Sequence, residues 1–134
     1  MATKIFVNLP VKDLKKSMDF FTKLGYTFNP QFTDETAASM VISDDIYAML
    51  LTHEKFKEFT PNAICDATKS TEVIVCLSCD NREQVGMLTG RALAGGKRHS
   101  EPKDYGFMIQ DGFQDLDGHI WELIYMDPSA IKQS

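Results

Sequence analysis

The chain has 134 residues, 43% of them hydrophobic, which suits one domain with a buried core. Its formal charge of -5, from 14 basic and 19 acidic side chains, argues against nucleic acid or an anionic membrane as partner, since both are held by clustered lysine and arginine. No stretch reaches the roughly 20 apolar residues that cross a bilayer, and the start MATKIFVNLPVKDL lacks a basic segment followed by an apolar run and a cleavage site; the expected location is the cytoplasm.

In chain order, KIFVNLPV reads as a strand and DLKKSMDFFTKLG as a helix, with Asp13 as N-cap and Gly25 just past the end. Leu14, Met18, Phe21 and Leu24 recur at helical spacing and form a core stripe. Three short strand candidates follow, YTFNPQFT, ASMVIS and IYAMLL, with the turn pairs Asp34-Glu35 and Asp44-Asp45 between them. The polar stretch THEKFKEFTPNAICDATKS then holds a short helix at His53 to Phe59 and a connection.

A second cycle begins with the strand TEVIVCLSCD. The helix NREQVGMLTGRALAGG follows, with Asp80 or Asn81 as its cap and Gly95-Gly96 as its stop, and three strand candidates close the cycle: KRHSEP, YGFMIQDGFQD and HIWELIYM. The strand at Phe6 matches that at Ile74, and residues 45–50 match 117–122, so Leu50 stands against Glu122 and Tyr47 against His119. The predicted class is α+β: one domain over 1–134, with a first βαβββ unit at 3–52, a connection at 53–71 and a second unit at 72–126. Each helix covers one face of a curved mixed sheet, and the uncovered faces are expected to enclose a cleft.

Cys65, Cys76 and Cys79 are odd in number and show no framework spacing, which fits a reducing compartment. Cys76 and Cys79 lie three apart in an apolar run read as strand, so their side chains point to opposite faces and read as small buried hydrophobes, not a metal or redox pair. LAGG followed by Lys97 and Arg98 sits after a helix and lacks the phosphate-loop pattern, so it reads as a helix stop.

The stretches VNLPVKDLKKSMDFFTKLGYTF and QDLDGHIWEL resemble the two signature regions of the vicinal oxygen chelate superfamily, which includes lactoylglutathione lyases, extradiol dioxygenases, and fosfomycin and bleomycin resistance proteins. The resemblance runs over roughly residues 3 to 126 and is nearest to a bacterial branch labelled predicted lactoylglutathione lyase. It implies a homodimer. In the metal-dependent members one ligand projects from the first strand and one from the last strand of each unit, and these positions fall on Phe6, Ile74, Leu50 and Glu122. Only Glu122 is a metal donor, whereas a catalytic metal needs about three protein ligands; no metal site and no cofactor are therefore expected.

Glu122, flanked by core-facing residues, reads either as a general base or hydrogen-bond acceptor with a pKa raised by apolar neighbours, or as part of an internal salt bridge. Asn8 shares the face of Phe6 and either fixes a loop or reads a ligand's polar group. His119, after the turn signal Asp117-Gly118, reads as structural, and a pair with Glu122 three residues away on a strand is disfavoured. His53 and His99 read as solvated. Tyr105, Phe107 and Phe113 lie in an aromatic-rich hairpin region, and at least one ring is expected at the cleft. The expected function is binding of a small, partly apolar molecule in a metal-free cleft lined by Phe6, Asn8, Leu50, Ile74, Cys76, Tyr105, Phe107 and Glu122. The alternative is a lyase or dioxygenase-type enzyme with a divalent metal held atypically through Glu122, and a third reading is a module that binds a protein partner.

Overall fold

The computed structural model describes residues 3–130 and divides the chain into two compact units, 1–65 and 66–134. No helix among the described residues is long and apolar enough to cross a membrane. The first unit contains β1 (Ile5–Val11), α1 (Leu14–Leu24), β2 (Thr27–Phe28), β3 (Ala37–Val41), β4 (Ile46–Thr52) and the single turn of α2 (His53–Phe56). The second contains β5 (Ile74–Ser78), α3 (Arg82–Ala92), β6 (Lys97–Arg98), β7 (Lys103–Asp104), β8 (Met108–Gln114) and β9 (Ile120–Met126). Each unit is built on an open, uncurled mixed sheet, ordered β1-β4-β3-β2 in the first and β5-β9-β8-β6 in the second, where β7 also pairs with β8. The α+β duplication is thus present in the fold.

The helices start and stop where side-chain chemistry directs. Asp13 accepts from the Lys16 N–H at 3.1 Å, and Gly25 closes α1 at φ 108°, a left-handed conformation that suits glycine. Of the two cap candidates for α3, Asn81 is the one used, accepting from the Gln84 N–H at 2.8 Å. Leu14, Phe21 and Leu24 are buried, joined by Phe20, while Met18 is half-buried. They pack with Leu9, Val11, Met40, Ala48 and Leu50 to form the first core. Val85, Leu88 and Ala92 of α3 are buried, as are Phe113, Trp121 and Leu123 of its sheet.

Several strands are shorter than expected. YTFNPQFT yields only Thr27–Phe28, because Asn29 accepts from the Gln31 N–H at 3.0 Å and caps a 3-10 turn at Pro30–Phe32; Pro30 has no N–H for a ladder. KRHSEP yields only Lys97–Arg98, and Tyr105-Gly106-Phe107 form a turn before β8, with Gly106 at φ 83°.

The register corrects the internal match. β1 and β4 run parallel with Phe6 opposite Tyr47, Asn8 opposite Met49 and Leu9 opposite Leu50. β5 and β9 run parallel with Ile74 opposite Ile120 and Cys76 opposite Glu122. The counterpart of Glu122 is therefore Met49, not Leu50, and that of His119 is Ile46, not Tyr47. The acidic pair Asp44-Asp45 offers two anchors for the match, and the register aligns Asp117 with Asp44, one residue before Asp45. A slip of one residue moves a strand side chain to the opposite face. Leu50 accordingly shares the Leu9 face and is 0% exposed in the core beneath α1, which removes it from any ligand-facing set.

Candidate functional site

On the face of the first sheet opposite the α1 core, Phe6 and Tyr47 stack with centroids 4.9 Å apart and planes 10° apart. Phe6 is 54% exposed and Asn8 beside it is also exposed. The Asn8 amide has no hydrogen-bond partner among the described residues, so it does not fix a neighbouring loop there. Met49 is half-buried next to Tyr47, and Ala37, Ser39 and Leu51 close the far end of the face.

In the second sheet, alternation puts Ile74 and Cys76 of β5 on one face with Ile120, Glu122 and Ile124 of β9. Val75, Leu77, Trp121 and Leu123 point to the other face, where α3 contributes its buried side chains. Ile74 is 49% exposed and Cys76 exposed. Glu122 is held at 21% exposure, and the His99 Nε2 stands 3.6 Å from its Oε2. Its carboxylate accepts no hydrogen bond from the described residues.

His99, expected to be solvated, joins Glu122 because of Gly112. Lys97 lies opposite Gln114 and Arg98 opposite Phe113, so one further step puts His99 against Gly112, which in turn lies opposite Glu122. A Cβ on Gly112 would stand 2.6 Å from the Trp121 carbonyl oxygen and 3.3 Å from the Glu122 Cα. With no side chain at 112, the imidazole reaches across one strand. The sequence signals were present, a glycine inside an alternating strand and a histidine near the adjoining edge strand, but only the register brings them together.

Cys76 does not supply a reactive thiolate. Burial and the nearby Glu122 carboxylate both raise its pKa, and burial with Asp80 and Cys76 pushes Cys79 up to about 11. Such thiols remain protonated and weakly nucleophilic at neutral pH.

Tyr105 and Phe107 flank the β7–β8 turn, 51% and 49% exposed, with ring centroids 6.4 Å apart. Arg82 at the start of α3 holds this turn, pairing with Asp104 at 3.6 Å and donating to the Gly106 carbonyl. The third ring of that region, Phe113, is core at 2% exposure.

His119 is structural. Its Nδ1 is 2.8 Å from the Glu72 Oε1, and its ring is buried away from Glu122. Asp115, 6% exposed, accepts from the Asp117 and His119 N–H groups and from the Trp121 Nε1–H at 2.9 to 3.0 Å. Burial raises its pKa, opposed by His119 and these hydrogen bonds. The stretch QDLDGHIWEL thus has two sides: a buried turn that organises the strand, and Glu122 on the uncovered face.

With the register corrected, the metal positions that the resemblance implies fall on Phe6 and Met49 in the first unit and on Ile74 and Glu122 in the second. They offer one carboxylate, one thioether and two hydrocarbons, and among the described residues no three His, Cys, Asp or Glu side chains group closely enough to hold an ion. This donor set does not fit a catalytic divalent metal.

Comparison with known proteins agrees with this framework. The family model described as bleomycin resistance protein-like N-terminal matches residues 3–43. A hypothetical protein, SA1046 from S. aureus, is 28% identical, with a TM-score of 0.76 over 93% of this chain and 95% of that one. A glyoxalase/bleomycin resistance protein/dioxygenase family enzyme from Burkholderia phytofirmans superposes at a TM-score of 0.75 with 14% identity, covering 93% of this chain and 99% of that one. The fosfomycin resistance protein FosX from Listeria monocytogenes gives 0.67 with 18% identity, over 100% and 96% of the two chains. A search of curated proteins gives no match. The βαβββ first unit and the second unit, which carries one more short strand, share the fold of the glyoxalase/bleomycin resistance/dioxygenase neighbours. The chain is thus similar to bleomycin resistance-type proteins over its N-terminal residues 3–43 and to glyoxalase/bleomycin resistance/dioxygenase proteins in fold.

Proposed function

We propose that the chain binds a small, partly apolar molecule through the uncovered faces of its sheets, without a catalytic metal. The observation that carries this reading is the exposure of Phe6 and Ile74, at equivalent positions of the two units. Alternation in a half-buried sheet puts apolar residues inward and polar ones outward; here large apolar side chains stand on the uncovered side, beside Asn8 in one unit and Glu122 in the other. Apolar side chains of this size recover about 1.5–3 kcal/mol each when fully buried, which an organic ligand can supply. Tyr105 and Phe107 extend the apolar contact at the rim of the second unit. The protein acts as a cytoplasmic homodimer on this reading, as the family resemblance implies. The alternative, a lyase or dioxygenase with a metal on Glu122, finds only one strong donor among the four equivalent positions.

The test is an amide NMR titration with a panel of phenyl-bearing small molecules. Saturable shifts are expected at residues 74–76 and 120–124, with affinity lost in Ile74→Asp while the spectrum remains dispersed. Shifts confined to other surfaces, or equal affinity in Ile74→Asp, would contradict the reading.

A further inference from the structure

We infer that the second unit's uncovered face selects an organic amine: a primary ammonium group carried on an apolar body. The inference rests on the small-molecule reading above and assigns the head group. Glu122 is the acidic side chain of β9, four-fifths withdrawn from solvent, and lies among Ile74, Cys76 and Ile124. A carboxylate so placed is costly to leave without donors, yet none of the described residues gives it a hydrogen bond.

No cation among the described residues donates a hydrogen bond to it. The His99 Nε2 stops at 3.6 Å, beyond hydrogen-bond length. Arg98 next to it lies in register with Phe113, on the α3 side, and pairs there with Asp111 at 2.9 Å. Lys97 and Lys103 lie on short outer strands opposite Gln114 and Gln110, and neither pairs with Glu122.

An ammonium group meets this demand on two counts. It carries three N–H donors for an acceptor-only carboxylate, and its charge complements that carboxylate and the chain's net charge of -5. The apolar body lies along Ile74 and Ile124. A carboxylate head is repelled by Glu122, and a hydroxyl head satisfies only one of its lone-pair sites.

The experiment compares three probes that share a phenyl ring and chain but differ in head group: 2-phenylethylamine, 2-phenylethanol and 3-phenylpropanoate. Binding is read by amide NMR on the full chain. The amine is expected to bind about tenfold or more tightly than the other two, and Glu122→Gln, nearly isosteric, to remove that preference. Equal binding of all three, or an amine preference that survives Glu122→Gln, overturns the head-group assignment and leaves the small-molecule reading standing. Failure of all three to bind overturns both.

Discussion

At the scale of single residues, the face a side chain occupies decides its role. Phe6 with Asn8, and Ile74 with Cys76, can be read from the sequence as sharing a face because they alternate along β1 and β5. Leu50 could not be assigned correctly, since its face depends on a pairing register that no residue in β4 announces. Within α3, Thr89 is 2% exposed and its Oγ1 has no hydrogen-bond partner among the described residues. Valine has the same shape without the hydroxyl, and an unsatisfied buried polar group costs about 1–3 kcal/mol. Thr89→Val should therefore raise the Tm in thermal unfolding; a lowered Tm would show that the hydroxyl is satisfied in solution.

At the scale of elements, the β8–β9 turn is held by contacts within its own unit. Gly118 has φ 87°, and a Cβ there would stand 2.8 Å from the Ala67 carbonyl carbon and the Thr68 nitrogen. The turn therefore packs on the segment leading to β5, to which His119 adds its contact with Glu72. Gly118→Ala combines backbone strain with a clash and should cost about 2 kcal/mol or more, read as a fall in Tm. An unchanged Tm would show that the turn moves freely.

That segment is itself capped by Asp66, whose pKa hydrogen bonds from Thr68 hold below the ordinary 3.8, mainly through the hydroxyl and also through the backbone N–H. A carboxyl with a depressed folded pKa contributes stability that is present above its unfolded pKa and lost as the pH falls through the folded one. Asp66→Asn should accordingly be less stable than the parent at neutral pH and approach it as the pH falls below the carboxylate range. A difference independent of pH would contradict this. The turn chemistry was visible as Asp117-Gly118 in the sequence; the partners of Gly118 and His119 were not, because 67–72 and 118–119 are joined only by folding.

At the scale of the whole molecule, the duplicated hydrophobic pattern, the helix caps and the order of elements make the α+β class legible, and the second unit adds one short strand to the expected order. The pairing of His99 with Glu122 was not legible, because it depends on the missing side chain of Gly112 and on strands that pair out of sequence order. The corrected register puts Phe6 and Met49 on the uncovered face of the first unit, and Ile74 and Glu122 on that of the second. On the proposed reading the second unit's surface holds an organic molecule, not a metal ion. Parallel amide NMR titrations of the full chain with zinc, nickel and 2-phenylethylamine test it most directly. The account predicts saturable shifts at residues 74–76, 99 and 120–124 with the amine and no specific shifts there with either metal; a stoichiometric metal complex centred on Glu122 would contradict it.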